Sequence, residues 1–204
     1  MRTETKKARG RPRAYDPVRA LGAALEAFRV HGYSGTSLDQ LSEVTRMSRP
    51  SLYAAFGNKK TIYRLALAQY HKEVRRRLGA ELFAGRGLRE DLLAFFEAAC
   101  AEYESPVHGK VGCSVICTAT TEALQDEDIR QDLSMMLNRI DAGLNRRFRQ
   151  AKREEFPDLN PKACALVTAA ALHSLAIRVR AAQSGFEVSA FPQAAVDLVV
   201  NAAQ

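Results

Sequence analysis

The sequence predicts an all-α protein in which a short helix-turn-helix unit precedes a larger helical domain. Three observations predict it. The 204 residues are rich in Ala, Leu and Arg, with 7% aromatic residues and no Trp, a palette of helix formers. Apolar residues recur at three- and four-residue spacing along most of the chain. Cap signals punctuate the first third at short intervals, at Asp16-Pro17, Thr36-Ser37, Ser48 and Asn58.

Residues 1–14 are polar, basic and short of apolar anchors, and read as a flexible basic arm. Within it Arg9-Gly10-Arg11-Pro12-Arg13 has the Gly-Arg-Pro core of an AT-hook, where Arg11 and Arg13 would suit a narrow minor groove. A tail making nonspecific phosphate contacts is the plainer reading of the same residues.

The first helix begins with Asp16 as N-cap and Pro17 at the first helical position. Leu21, Ala24, Leu25 and Phe28 form its inner stripe, and His31-Gly32 ends it. Tyr33-Ser34-Gly35 is a tight connector. Thr36 or Ser37 caps a second short helix with Leu38, Leu41 and Val44 inside. Thr45-Arg46-Met47 is a turn, and Ser48 caps a third helix that tolerates Pro50 in its first turn. Gly57 ends that helix after Phe56, and Asn58 caps a fourth from Lys59. Only Leu52 and Phe56, four residues apart, can hold the third helix down. Ser48, Arg49, Pro50, Ser51 and Tyr53 are left outside, a pattern suited to a groove rather than a core.

The charge distribution points the same way. Residues 1–60 carry 12 Lys and Arg against 5 Asp and Glu, whereas the remaining 144 carry 18 of each. The excess is either a solubilising end or the footprint of a polyanion, nucleic acid above all. On the second reading Thr36, Tyr53 and Lys59 contact phosphates while Arg49 and Ser51 read bases. Ser37, Arg46, Ser48 and Pro50 complete the surface.

Phe28, Gly32-Tyr33, Gly35-Thr36-Ser37, Leu41, Val44, Ser48-Arg49-Pro50-Ser51-Leu52-Tyr53 and Phe56-Gly57-Asn58-Lys59 together resemble the TetR family of transcriptional regulators over residues 15–65. The family often places a His where this chain has Ala54 or Ala55, which removes a possible phosphate contact. The resemblance implies a homodimeric repressor that binds a palindromic double-stranded operator and is released by a small-molecule effector. Beyond residue 65 the likeness is loose, so effector and operator are not legible from it.

The fourth helix carries Ile62, Leu65, Leu67 and Tyr70 inward and ends near Gly79, with Arg75-Arg76-Arg77 as a solvated face. A fifth helix covers 87–104, with Leu88, Leu92, Phe95, Phe96 and Ala99 inside. After a loop at 105–109, residues 112–121 read as a short, nearly uncharged buried helix. A long amphipathic helix covers 126–155, and the last two cover 161–184 and 190–203. Residues 163–182 are apolar almost all round and need a partner on each side. The expected two-fold interface is Ala165, Leu172, Leu175 and Val179 with Phe191 and Leu198; the alternative is the central helix of a monomer. Residues 15–60 are thus read as the DNA-binding unit and 61–204 as the ligand-binding and dimerisation domain.

A ligand pocket is expected among the fifth to eighth helices, lined by Phe96, Cys100, Tyr103, Cys117, Thr120, Met136, Ile140 and His173. Cys113 and Cys117, four residues apart with His108 upstream, admit packing, a redox- or electrophile-sensing thiol pair, or a metal site; no CxxC is present. No cofactor or resident metal is expected. The sequence lacks a nucleotide-binding Gly loop and a nucleophile triad, so an enzyme is disfavoured. It shows neither a secretion signal nor an apolar run of roughly 18 residues, so a cytoplasmic protein without a membrane partner is expected.

Overall fold

The computed structural model describes residues 15–105 and 109–201. The basic arm with Arg11 and Arg13, and His108, lie outside the described residues.

Helix α1 (Pro17–Gly35) begins as its cap demands, the Asp16 carboxylate accepting from the N–H groups of Val18 and Arg19. It breaks at Gly32, whose φ of 72° suits glycine, and Tyr33–Gly35 then form one more helical turn instead of an open connector. Helix α2 (Leu38–Thr45) starts in a capping box between Ser37 and Gln40. Helix α3 (Arg49–Phe56) is capped by Ser48, and α4 (Lys59–Leu82) by Asn58. Between α2 and α3, Arg46 takes a left-handed conformation (φ 55°), which turns the chain sharply enough to bury Met47.

Phe28, Leu41, Leu52, Ile62 and Tyr63 are buried where these four helices meet. The Tyr33 ring closes the cluster, with its centroid 6.1 Å from that of Phe28 and 5.0 Å from that of Tyr63. Two residues expected inside, Val44 and Leu65, are exposed. Two-turn α2 buries only the stripe around Leu41, and the buried stripe of α4 runs through Ile62, Tyr63, Ala66, Leu67 and Tyr70, leaving Leu65 off its edge.

Helix α4 continues a turn past Gly79 and packs along both α1 and α5 (Leu88–Tyr103). Strands β1 (Glu104–Ser105) and β2 (Gly109–Lys110) form a two-residue antiparallel ladder in the expected loop. The short buried segment is a π-helical turn, Val115–Ala119, that runs into α6 (Thr120–Glu122). Helices α7 (Glu127–Glu154), α8 (Pro161–Arg180) and α9 (Phe191–Asn201) complete the nine α-helices among the described residues. A buried ion network, unforeseen in the sequence, ties α7 to the start of α5. The Arg147 Nη2 donates to Asp91 at 3.1 Å, and the Glu155 carboxylate accepts from both Arg147 and the Leu88 N–H.

Helix α8 is long and apolar enough, by length and composition alone, to cross a membrane. Its inner side is nevertheless packed within the bundle through Cys164, Ala165, Thr168, Ala169, Leu172, Leu175, Ala176 and Val179. This overturns the interface expected at Ala165, Leu172, Leu175 and Val179, because all four belong to the protomer's own core. Three- and four-residue spacing puts them on the inward stripe, and residues off that stripe point out. Leu166 (68% exposed), Ile177 (55%) and, on α9, Leu198 (67%) form the outward apolar side. Phe191 is half-buried, edge-on to Phe96 and Phe186.

Candidate nucleic-acid interface and ligand cavity

Helix α3 is held to the body by Leu52 and Phe56, which are buried, and Tyr15 packs edge-on against Phe56. Arg49, Pro50, Ser51, Tyr53 and Ala54 are exposed on its other side. Tyr53 is 49% exposed, and its hydroxyl makes no hydrogen bond among the described residues, so it is available to a partner. Ser48 and Ser51 bond to each other, oxygen to oxygen, at 2.9 Å.

Other predicted contacts are already engaged. Arg49 reaches back to α2 and donates from Nε to Asp39 at 2.6 Å, so it must leave or share that carboxylate to read a base. Hydrogen bonding to Arg49 holds the Asp39 carboxyl below its ordinary pKa. Thr36 is buried, with its hydroxyl 2.7 Å from the Gly32 carbonyl, and caps the end of α1. A phosphate cannot reach it, which corrects the contact expected there. Ser37 is exposed, but its hydroxyl is committed to the capping box of α2. Lys59 stands at the N-terminus of α4 with Nζ 4.5 Å above the Tyr33 ring, and burial lowers its pKa. Its neighbour Lys60 is bound instead to Asp126 and Asp128 at the start of α7. Arg46 is exposed in the turn.

The helix-turn-helix unit is clamped to the rest of the chain by polar contacts. The Tyr63 hydroxyl lies 2.7 Å from that of Thr118 in the π-helical turn. Thr118 spends its own proton on the Ser114 carbonyl, so Tyr63 is the donor. Arg64 pairs with Asp132 of α7. Arg29, 6% exposed, donates from Nη1 to Glu26 and from Nη2 to the Gly112 carbonyl at 3.2 Å. Arg180 of α8 donates to the carbonyls of Arg29 and Val111. Gly112 has φ 66°, and a Cβ there would sit 2.4 Å from the Ala176 carbonyl oxygen, so this crossing requires glycine.

A cavity of about 420 Å³ opens between α4, α5, α7 and α8. Tyr70, Tyr103, Cys113, Val115 and Leu172 form its buried part, while Arg75, Arg139 and Arg146 are exposed where it opens. Of the expected lining residues it includes Tyr103 and Ile140. The others lie elsewhere: Phe96 and Met136 are fully buried, Thr120 is exposed, and the Cys100 thiol points at the Val188 carbonyl. Cys117 faces the Ala176 carbonyl, and His173 is half-buried with its Nε2 unpartnered. Cys113 rather than Cys117 faces the cavity although the two are four residues apart, a difference that periodicity cannot show.

The two thiols therefore face different ways. Burial pushes the Cys117 thiol up to about 11 and raises that of Cys113 as well. That is the reverse of the electropositive, accessible setting a sensing thiolate needs, and it weighs against the redox reading. Among the described residues no group of three or more His, Cys, Asp or Glu is placed to hold a metal ion.

Residues 20–66 match the family model described as bacterial regulatory proteins, tetR family. The HTH-type transcriptional repressor ComR of Escherichia coli (strain K12) is 37% identical over 128 residues, covering 63% of this chain and 61% of ComR. The HTH-type transcriptional repressor BdcR of the same organism is 32% identical, covering 52% of this chain and 54% of BdcR. The matched stretch thus spans less than two thirds of either curated relative. A cysteine-substituted variant of the TetR family transcriptional regulator CifR, solved with 26-base-pair operator DNA, superposes with a TM-score of 0.81. It is 30% identical, over 92% of this chain and 98% of that one. The chain belongs to the TetR family. TetR-family proteins are transcriptional regulators rather than enzymes.

For a TetR-family chain, the least legible residues in the sequence were Arg29, Asp91, Arg147 and Arg180, all charged groups working inside the fold. Arg29 had one available signal: it follows Phe28 directly on the buried side of an amphipathic helix.

Proposed function

We propose that the protein is a dimeric transcriptional repressor that binds a palindromic operator and is released when a small molecule enters the cavity. The observation carrying this reading is the outer face of α3. Arg49, Pro50, Ser51 and Tyr53 stand clear of the body on a helix fixed by Leu52 and Phe56, and Lys59 lies beside them at the start of α4. Such a face suits a major groove, with Tyr53 and Lys59 on phosphates and Arg49 and Ser51 at base edges. ComR is itself named a repressor, and the CifR variant was solved on operator DNA. Arg46 and Ser48 extend the same surface, and the basic arm, whose Arg11 and Arg13 lie outside the described residues, would add contacts in the minor groove. A DNA regulator of this kind works in the cytoplasm.

The dimer forms through the outward apolar side of α8 and α9, where Leu166, Val167, Ile177 and Leu198 would otherwise meet water. Two-fold pairing then sets two copies of α3 about one DNA turn apart. The cavity sits against the segment 111–113, which Arg29 and Arg180 hold to α1, so a ligand that displaces Cys113 shifts the footing of the DNA unit. It can do so only by binding the two arrangements unequally.

Selection from a random duplex pool tests the reading. The expected product is a two-fold-symmetric site with half-sites about 10 base pairs, or a multiple of that, apart. Folded protein that enriches nothing at low salt would sink the proposal.

A further inference from the structure

Resting on the reading of the cavity as the effector site, we propose that it takes an amphipathic anion, an apolar body of chain or ring carbon carrying a carboxylate-like head. The volume of about 420 Å³ is that of a small-molecule site. Val74, Leu78, Phe83, Phe95, Ile140 and Leu172 supply apolar walls. Among the described residues no Asp or Glu lines the cavity, yet three arginines do.

Those arginines differ from others in the chain. Arg29, Arg64, Arg76, Arg77, Arg86, Arg89 and Arg147 each pair with a carboxylate. Among the described residues Arg75, Arg139 and Arg146 pair with none. Arg75 comes from α4, and Arg139 and Arg146 from α7, so positive charge meets from two sides of one opening. Arg146 is held there by stacking, its guanidinium 4.2 Å from the Phe83 ring centroid. Burial first, then the nearby Arg139 and Arg75, drives the His71 imidazole down to about 4, so the group facing the cavity is neutral. The His71 Nε2 is buried with no partner, and the buried Tyr70 hydroxyl faces the Cys113 thiol without a well-formed hydrogen bond. These are the polar atoms a ligand would satisfy in passing. A cation would meet like charge at the entrance, and a neutral molecule would leave the guanidinium groups unused.

Calorimetric titration of the full-length protein with octanoate, 1-octanol and octylammonium at pH 7 tests the head group directly, without DNA. Octanoate should bind about tenfold more tightly than 1-octanol, and octylammonium weakest. The double variant Arg75→Gln/Arg139→Gln should erase the preference while leaving 1-octanol unchanged, and Arg76→Gln, whose side chain pairs with Glu73, should keep it. Equal affinity for acid and alcohol, stronger binding of the amine, or no octanoate binding at millimolar concentration overturns the proposal. A parallel band shift separates the two readings: octanoate that binds without releasing DNA refutes the effector role and leaves the ligand class standing.

Discussion

Arg29 of α1 donates from Nη2 to the carbonyl oxygen of Gly112, 83 residues away, at 3.2 Å. The guanidinium also sits 5.4 Å from the centre of the Tyr70 ring, which lines the cavity. One buried cation thus touches the first helix, the cavity wall and the segment carrying Cys113. Replacing it by Met leaves the Gly112 carbonyl without this donor and should cost about 2–3 kcal/mol in denaturant unfolding. Operator affinity should survive in the remaining folded protein while its response to a cavity ligand falls. A variant that responds as the parent does would show that coupling takes another route.

Arg49 and Asp39 form an exposed pair between α3 and α2. Arg49→Ala should lower the preference for the selected operator over random duplex by about 1–3 kcal/mol, the worth of one bidentate base contact. Lys59→Ala should instead weaken all duplexes alike and flatten the salt dependence by about one unit of slope. Asp39→Asn frees Arg49 and should leave operator affinity intact or raise it. Band shifts at several salt concentrations separate these outcomes; a large loss in Asp39→Asn would mean that the pair itself positions Arg49.

The outward side of α8 and α9 gives a sharp contrast between neighbouring residues. Ile177→Glu with Leu198→Glu should yield folded monomer in sedimentation, since both side chains are exposed in the protomer. Leu175→Glu, two residues away but fully buried, should fail to fold. A dimer persisting in the double variant would move the interface elsewhere.

His71 makes stability depend on pH in a defined window. Its pKa is lowered to about 4 by burial first, then by Arg139 and Arg75, against about 6.5 in the unfolded chain. The unfolded state therefore takes up a proton first as pH falls, and stability present above pH 6.5 is lost progressively down to about pH 4. Asp39, Glu73, Asp126 and Asp197, whose pKa values are lowered, lose their contributions only at lower pH. His71→Gln should flatten the slope between pH 6.5 and 4.5 in urea titrations, and an unchanged slope would assign it to another group.

The sequence by itself determined the helix-turn-helix unit almost to the residue. Its caps are local bonds: Asp16, Ser37, Ser48 and Asn58 each satisfy N–H groups within three residues, so sequence spacing suffices to find them. The outward set on α3 follows from the two anchors Leu52 and Phe56 for the same reason. What only tertiary structure decided was which side of a doubly apolar helix faces inward. Helix α8 is apolar all round, so periodicity could not tell Leu175 from Ile177; packing against α7, α5 and α9 chose between them. The cavity was likewise out of reach, because Cys113 and Cys117 share a helical spacing although only Cys113 lines it, and Arg75 and Arg139 meet only when α4 and α7 pack. Thr36 and Arg49 show the same limit at the DNA face. Each is the residue type a nucleic-acid contact wants, yet a carbonyl in one case and a carboxylate in the other reached it first.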